Sequence, residues 1–339
     1  MNNKIIQISP IGFQWEMENP FIFCAHHKDA FPKGNLHQGP DVSLFGRNIG
    51  SDFSGKDGFS MYHGDVVPGF PEHPHRGFET VTITLKGLID HFDSKGAHGR
   101  YGDGDVQWLT TGKGCQHCEM FPLINQDKDN PLELFQVWLN LPSKDKFVEP
   151  DYKMFWAEDI PVFEVIDENK NKTTIKLIAG SFQGKESIEP TQNSWAYDKD
   201  NRVGILIIRM EPHSKLTIPA GTGTMSRNLY FYQGEGNIKI DNKEISSSNR
   251  IKLNANQKIE IINQDKESYI LLLEGEKIDE PVVQYGPFVM NTEQEIRQAF
   301  DDYRKTRFGG WLWDRPDPVH EITTGRFARY INGSEERKY

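Results

Sequence analysis

A chain of 339 residues with 36% apolar and 12% aromatic side chains is long enough for two packed cores. Lys and Arg total 39 against 49 Asp and Glu, a net charge of −10. With no run of basic residues, this balance argues against direct nucleic-acid binding, which needs phosphate-neutralising patches. No stretch approaches the ~18 apolar residues of a membrane span, and the first twenty residues have no continuous apolar core or small-residue cleavage site. A soluble, cytoplasmic protein is therefore expected. Three cysteines, Cys24, Cys115 and Cys118, are too few and too odd for a disulfide framework.

In chain order, IIQISP and FIFCAHH read as strands leading into a barrel, and the Gly-, Ser- and Asp-rich residues 41–60 as a long loop over one mouth. The stretch 69–122 then offers two pairs of metal-competent side chains. His73 and His75 stand two apart in HPH, and His117 and Glu119 two apart in HCE. Alternate residues of a strand point to one face, so each pair aims both side chains the same way. VTITL and DVQWLT between them have strand character, and glycines 87, 96, 99, 102, 104, 112 and 114 supply turns, a meander or barrel pattern. Two such strands face to face present three imidazoles and a carboxylate. That set suits iron, nickel, copper or zinc and suits magnesium or calcium poorly.

Other candidates have plainer readings. Cys115 and Cys118 flank His117, but residues three apart on a strand face opposite ways, so both cannot chelate one metal. Cys115 shares the face of His117 and reads as a small packing residue. His63 reads as a surface or supporting histidine, and His91 and His98 beside the DSKGAHG turn as solvent-facing. Arg76, Gln107 and Trp108 are candidates to orient a ligand.

LELFQVWLNLP should close the first barrel, and KDKFVEPDYKMFWAEDIPVF reads as a crossing between domains. Short strands separated by glycine-bearing turns then repeat the style of the first half up to SYILLLEGE. Beyond Glu119 only His213 and His320 remain, neither in an HxH or HxE pair, so no second metal site is expected. Thr292 and Glu295 form a capping box ahead of a helix whose Ile296, Ala299, Phe300 and Tyr303 make one apolar stripe. Trp311 and Trp313 are placed to anchor the tail. The expected division is 1–150, 151–290 and a helix with tail, 291–339.

HPHRGFETVT, the GDVQWLT segment, H-x-E-M and, far downstream, EPVVQYGPFVMNT with AFDDYR and FGG together resemble the pirin family, a branch of the cupins. The resemblance covers most of the first half and the end of the chain. It implies an all-β fold of two cupin-type jelly-roll barrels in tandem, the second without a metal site, and a short C-terminal helix. It further implies one divalent metal, iron first, with nickel, copper, manganese, cobalt or zinc as alternatives, on His73, His75, His117 and Glu119. Glu79 stands where many cupins place a ligand glutamate and is the fallback carboxylate. The implied activity is that of a flavonol dioxygenase of the quercetin 2,3-dioxygenase type, with Glu119 also as general base and O2 as co-substrate. The alternative is a metal- or redox-gated regulatory protein that binds a transcription factor or enzyme. The resemblance leans to a monomer.

Overall fold

The computed structural model describes residues 3–338. Its regular structure is almost entirely strand, with α1 (Glu293–Thr306) the one α-helix among the described residues. Among the described residues no helix is long and apolar enough to cross a membrane. The chain divides into two compact units that interleave in sequence. One takes Ala25–Ala157 and the chain from Glu280 on; the other takes the chain up to Cys24 and Glu158–Asp279. The three consecutive segments expected from the sequence are thus not how the chain is partitioned. The helix and tail belong with the first barrel, and the opening strand with the second.

The first ten strands are β1 (Ile5–Pro10), β2 (Phe21–Phe31), β3 (Gly69–His75), β4 (Phe78–Lys86), β5 (Leu88–Asp93), β6 (His98–Gly102), β7 (Val106–Thr110), β8 (Cys115–Met120), β9 (Asn130–Asn140) and β10 (Asp151–Phe155). The barrel of the first unit has a sheet in the order β10-β7-β4-β9-β2. Its other sheet runs β6-β5-β8-β3 and is extended beyond β6 by the tail strands Arg326–Arg329 and Glu335–Lys338. Phe31, Met61, Ile89, Tyr101, Leu109 and Leu134 belong to its core, where full burial of one such side chain contributes about 1.5–3 kcal/mol. The segment expected to be a plain crossing contains β10. DYKMF alternates, so Tyr152 and Met154 bury while Lys153 stays half-exposed, and the strand pairs with β7.

Helix α1 carries the expected capping box, with Thr292 accepting from the Glu295 N–H and Glu295 reaching back. Its Ile296 and Ala299 pack with Phe288, Met290 and Phe308. The tail then covers the outer side of β5 and β8, where Trp311, Trp313 and Val319 lie on Phe92, Cys118 and Met120.

The second unit repeats the plan. A seven-stranded sheet in the order β1, 249–253, 225–234, 268–276, 204–210, 172–179, 162–166 faces a sheet in the order 215–218, 259–263, 237–240, 243–246. Leu206, Ile208, Leu216, Ile218, Ile261 and Leu272 are among the apolar side chains packed between them.

Candidate metal centre

Antiparallel pairing of β3 with β8 sets His73 opposite His117 and His75 opposite Cys115. The register slips between Phe70 and His73, so that Phe70 stands opposite Glu119. Pro71, which has no N–H to give the ladder, lies in that slip, as expected of a bulge. Period-2 alternation then turns His73, His75, His117 and Glu119 inward. The nitrogens of His73, His75 and His117 come within 4.8 Å of one another.

Two of these imidazoles are held from behind by carbonyls. His73 Nδ1 lies 2.8 Å from the carbonyl oxygen of Pro71, and His75 Nδ1 3.4 Å from that of Pro287. A proton on Nδ1 donating to a carbonyl leaves the Nε2 lone pair for the cluster. His117 is wholly buried, and neither of its ring nitrogens has a hydrogen-bond partner among the described residues. A buried polar group without a partner is costly, and three converging lone pairs are what a divalent metal satisfies. Burial holds His73 down to about 4 and, with neighbouring imidazoles, keeps His75 and His117 well below the usual histidine range. All three are therefore neutral at pH 7, the form that binds metal. The residues fit a divalent cation.

Glu119 lies beside this cluster rather than within it. Its carboxylate is 3.9 Å from His117 Nε2 and accepts hydrogen bonds from Thr82 Oγ1 at 2.9 Å and Gln136 Nε2 at 2.6 Å. Thr82 and Gln136 are cross-strand partners on β4 and β9, so the opposite sheet grips the carboxylate across the barrel. Burial raises the Glu119 pKa, offset in part by nearby His91 and by these two hydrogen bonds. At the mouth, His63, Phe70, Pro71, Glu72 and His73 line a depression of about 400 Å3.

Other sequence expectations resolve differently. His91 is not solvent-facing: it is fully buried, stacked on Tyr152 at 5.2 Å, and sits directly across β5–β8 from Glu119. The turn signal beside it hid the inward alternation of Ile89, His91 and Asp93. Glu79 is also buried, but it accepts from Trp108 Nε1 and Thr110 Oγ1, on the face of β4 opposite to Thr82. Arg76 pairs with Asp302 at 2.7 Å instead of orienting a histidine. Cys115 is a buried core residue, and Cys118 faces the tail tryptophans. Sequence reasoning missed Thr82, Gln136 and the Pro287 carbonyl. Only the Pro287 segment carried a signal, the motif EPVVQYGPFVMNT.

The second barrel shows why it has no such cluster. Its strand pair 215–218 and 259–263 occupies the sheet position of β3 and β8, with Leu216 opposite Ile261 and Ile218 opposite Ile259. Aliphatic side chains fill the places that histidines take in the first barrel, and all four are fully buried.

Two antiparallel barrels in one chain, one carrying an HxH strand against an HxE strand, define the cupin class. Residues 12–139 match the family model described as Pirin, and residues 205–309 the one described as Pirin C-terminal cupin domain. A pirin-like protein of Solanum lycopersicum is 37% identical over 243 residues, covering 71% of this chain and 77% of that one. A Pseudomonas aeruginosa protein, provisionally named a quercetin 2,3-dioxygenase, is 34% identical over 248 residues, 71% and 80% of the two chains. The crystal structure of a quercetin 2,3-dioxygenase from Acinetobacter baumannii shares the fold at a TM-score of 0.70 and 23% identity, over 91% of this chain and 99% of that one. The chain belongs to the pirin family, with both of its cupin domains.

Proposed function

We propose that His73, His75, His117 and Glu119 hold one divalent metal, iron first, with nickel, copper, manganese, cobalt or zinc as alternatives. We further propose that the protein is a dioxygenase acting on flavonol-type aromatics with O2. The observation that carries this reading is the convergence of three neutral imidazoles, one of them buried with both nitrogens unpartnered, beside a gripped carboxylate. The name of the Pseudomonas aeruginosa relative supports the substrate class.

The metal, when bound, supplies Lewis-acid and oxygen chemistry. The chain's own part is positioning and proton transfer. A flat substrate enters over Phe70 and His63 at the mouth. Glu119 takes the proton of the substrate hydroxyl, and burial, which raises its basicity, suits it to the task. Thr82 and Gln136 keep its oxygens on one trajectory, so the base needs no reorientation before transfer.

The test is aerobic turnover of quercetin by protein reconstituted separately with each metal, with carbon monoxide release followed alongside. Turnover that tracks one metal and vanishes in Glu119→Ala is the expected result. Stoichiometric metal with no turnover under any of them overturns the enzyme reading and leaves the metal-gated regulatory protein, to be sought by partner capture.

A further inference from the structure

The second barrel has aliphatic side chains where the first has histidines, yet its mouth is not sealed. Along three neighbouring strands of the seven-stranded sheet the inward positions read Arg227, Leu229, Phe231, then Glu274, Leu272, Ile270, then Gly204, Leu206, Ile208. Pairing aligns Arg227, Glu274 and Gly204 on one rung, directly above two apolar rungs of the core. A cleft of about 580 Å3 opens over that charged rung.

The Arg227 side chain is 2% exposed. Its Nε donates to Glu274 Oε2 at 2.5 Å and its Nη1 to the Pro219 carbonyl at 2.9 Å. Nη2 and the second carboxylate oxygen, Oε1, have no hydrogen-bond partner among the described residues, and both side chains line the cleft. Gly204 makes room for this arrangement, since a Cβ there would stand 2.8 Å from Glu274 Cγ. A buried ion pair is a poor source of stability compared with well-packed apolar residues. One that leaves a donor and an acceptor turned to a cleft is better explained as a recognition element.

The pair sets a cationic donor and an anionic acceptor side by side. Its complement is a ligand carrying a carboxylate and an ammonium on the same carbon. Pro190, Ala196, Tyr197 and Met225 supply an apolar wall for whatever else the ligand carries. Of the rim charges, Lys199 is paired with Glu186 at 3.3 Å, and the Asp198 carboxylate accepts the Asp200 N–H.

We propose that this cleft binds a small α-amino acid, with its carboxylate on Arg227 Nη2 and its ammonium on Glu274 Oε1. The site is separate from the histidine cluster and does not depend on the reading of that cluster.

The test is calorimetric titration of the full chain with free α-amino acids of small, aliphatic, aromatic and acidic side chain, each alongside its N-acetylated and C-amidated form. At least one free amino acid is expected to bind saturably, and blocking either end should weaken it by about tenfold or more. Arg227→Gln should cause a comparable loss. Ala196→Trp places a large ring on the cleft wall while leaving both charged residues in the chain, and should abolish binding at an unchanged unfolding midpoint, which decides the matter if Arg227→Gln does not fold. Absence of saturable binding by any free amino acid overturns the proposal. So does equal binding of the blocked forms, or unaltered binding by Ala196→Trp.

Discussion

His73 and His117 face each other across the antiparallel pair β3–β8, with ring centroids 4.5 Å apart. One pairing register thus brings together two imidazoles that lie 44 positions apart in sequence (117 − 73). His75 follows automatically at i+2, with its ring 5.0 Å from His117.

Replacing His75 or His117 by alanine should take metal content from near stoichiometric to near zero, measured by elemental analysis, while far-UV dichroism stays β-rich. Unchanged metal content in either variant would refute the ligand assignment. His117→Ile copies the Ile261 solution of the second barrel. In the metal-free protein it should raise the unfolding midpoint, because it removes a buried imidazole with no partner.

Gln136→Leu removes one of the two hydrogen bonds on Glu119 and leaves the three histidines in place. Metal should be retained, while quercetin turnover falls about 10–100-fold, the usual range for loss of a supporting partner. The lost bond lowers the Glu119 pKa, so without it that pKa rises and the acid limb of the rate profile should move to higher pH. A parallel fall in metal content would instead mark Gln136 as needed to build the site.

Arg100 is fully buried and clamps Asp90 through Nε at 2.6 Å and Nη2 at 2.7 Å. It also donates to the carbonyls of His320, Glu321 and Thr324, which ties the tail to the barrel. Arg100→Ala leaves Asp90 buried without its counter-charge and should cost about 3–5 kcal/mol in chemical denaturation. Cys118→Ala is the contrast. Its thiol faces Trp311 and Trp313, so metal content should not change.

Burial also gives the metal-free protein an acid-side weakness. It lowers His27 to about 4 and His320 to about 3. An unfolded histidine titrates near 6.5. Below that pH the unfolded chain takes up protons that the folded state refuses, so these groups erode stability as pH falls from about 6.5 to about 4 for His27 and to about 3 for His320, and have no effect above that window. His320→Phe keeps a ring stacked on Phe92 and should flatten part of that slope in urea unfolding followed across the window. An unchanged slope would count against His320 as a contributor.

The residues of the histidine cluster, the inward direction of Glu119, the all-β class and the capping box of α1 were set by local rules. Each rests on spacing within one segment: two for a strand face, three for a cap. The tertiary structure decided what no segment holds alone. The β3–β8 register and its bulge brought His73 to His117. Strand neighbours on the opposite sheet, Thr82 and Gln136, seized Glu119, and a carbonyl 212 positions downstream reached His75. His91 read as exposed because a turn stood beside it, but sheet pairing with β8 buried it. The division into interleaved units, likewise, followed from which sheet edge the tail and the opening strand extend. Side-chain direction is a property of the backbone a few residues long. Partnership across a barrel depends on non-local pairing, which leaves no period in the sequence to read.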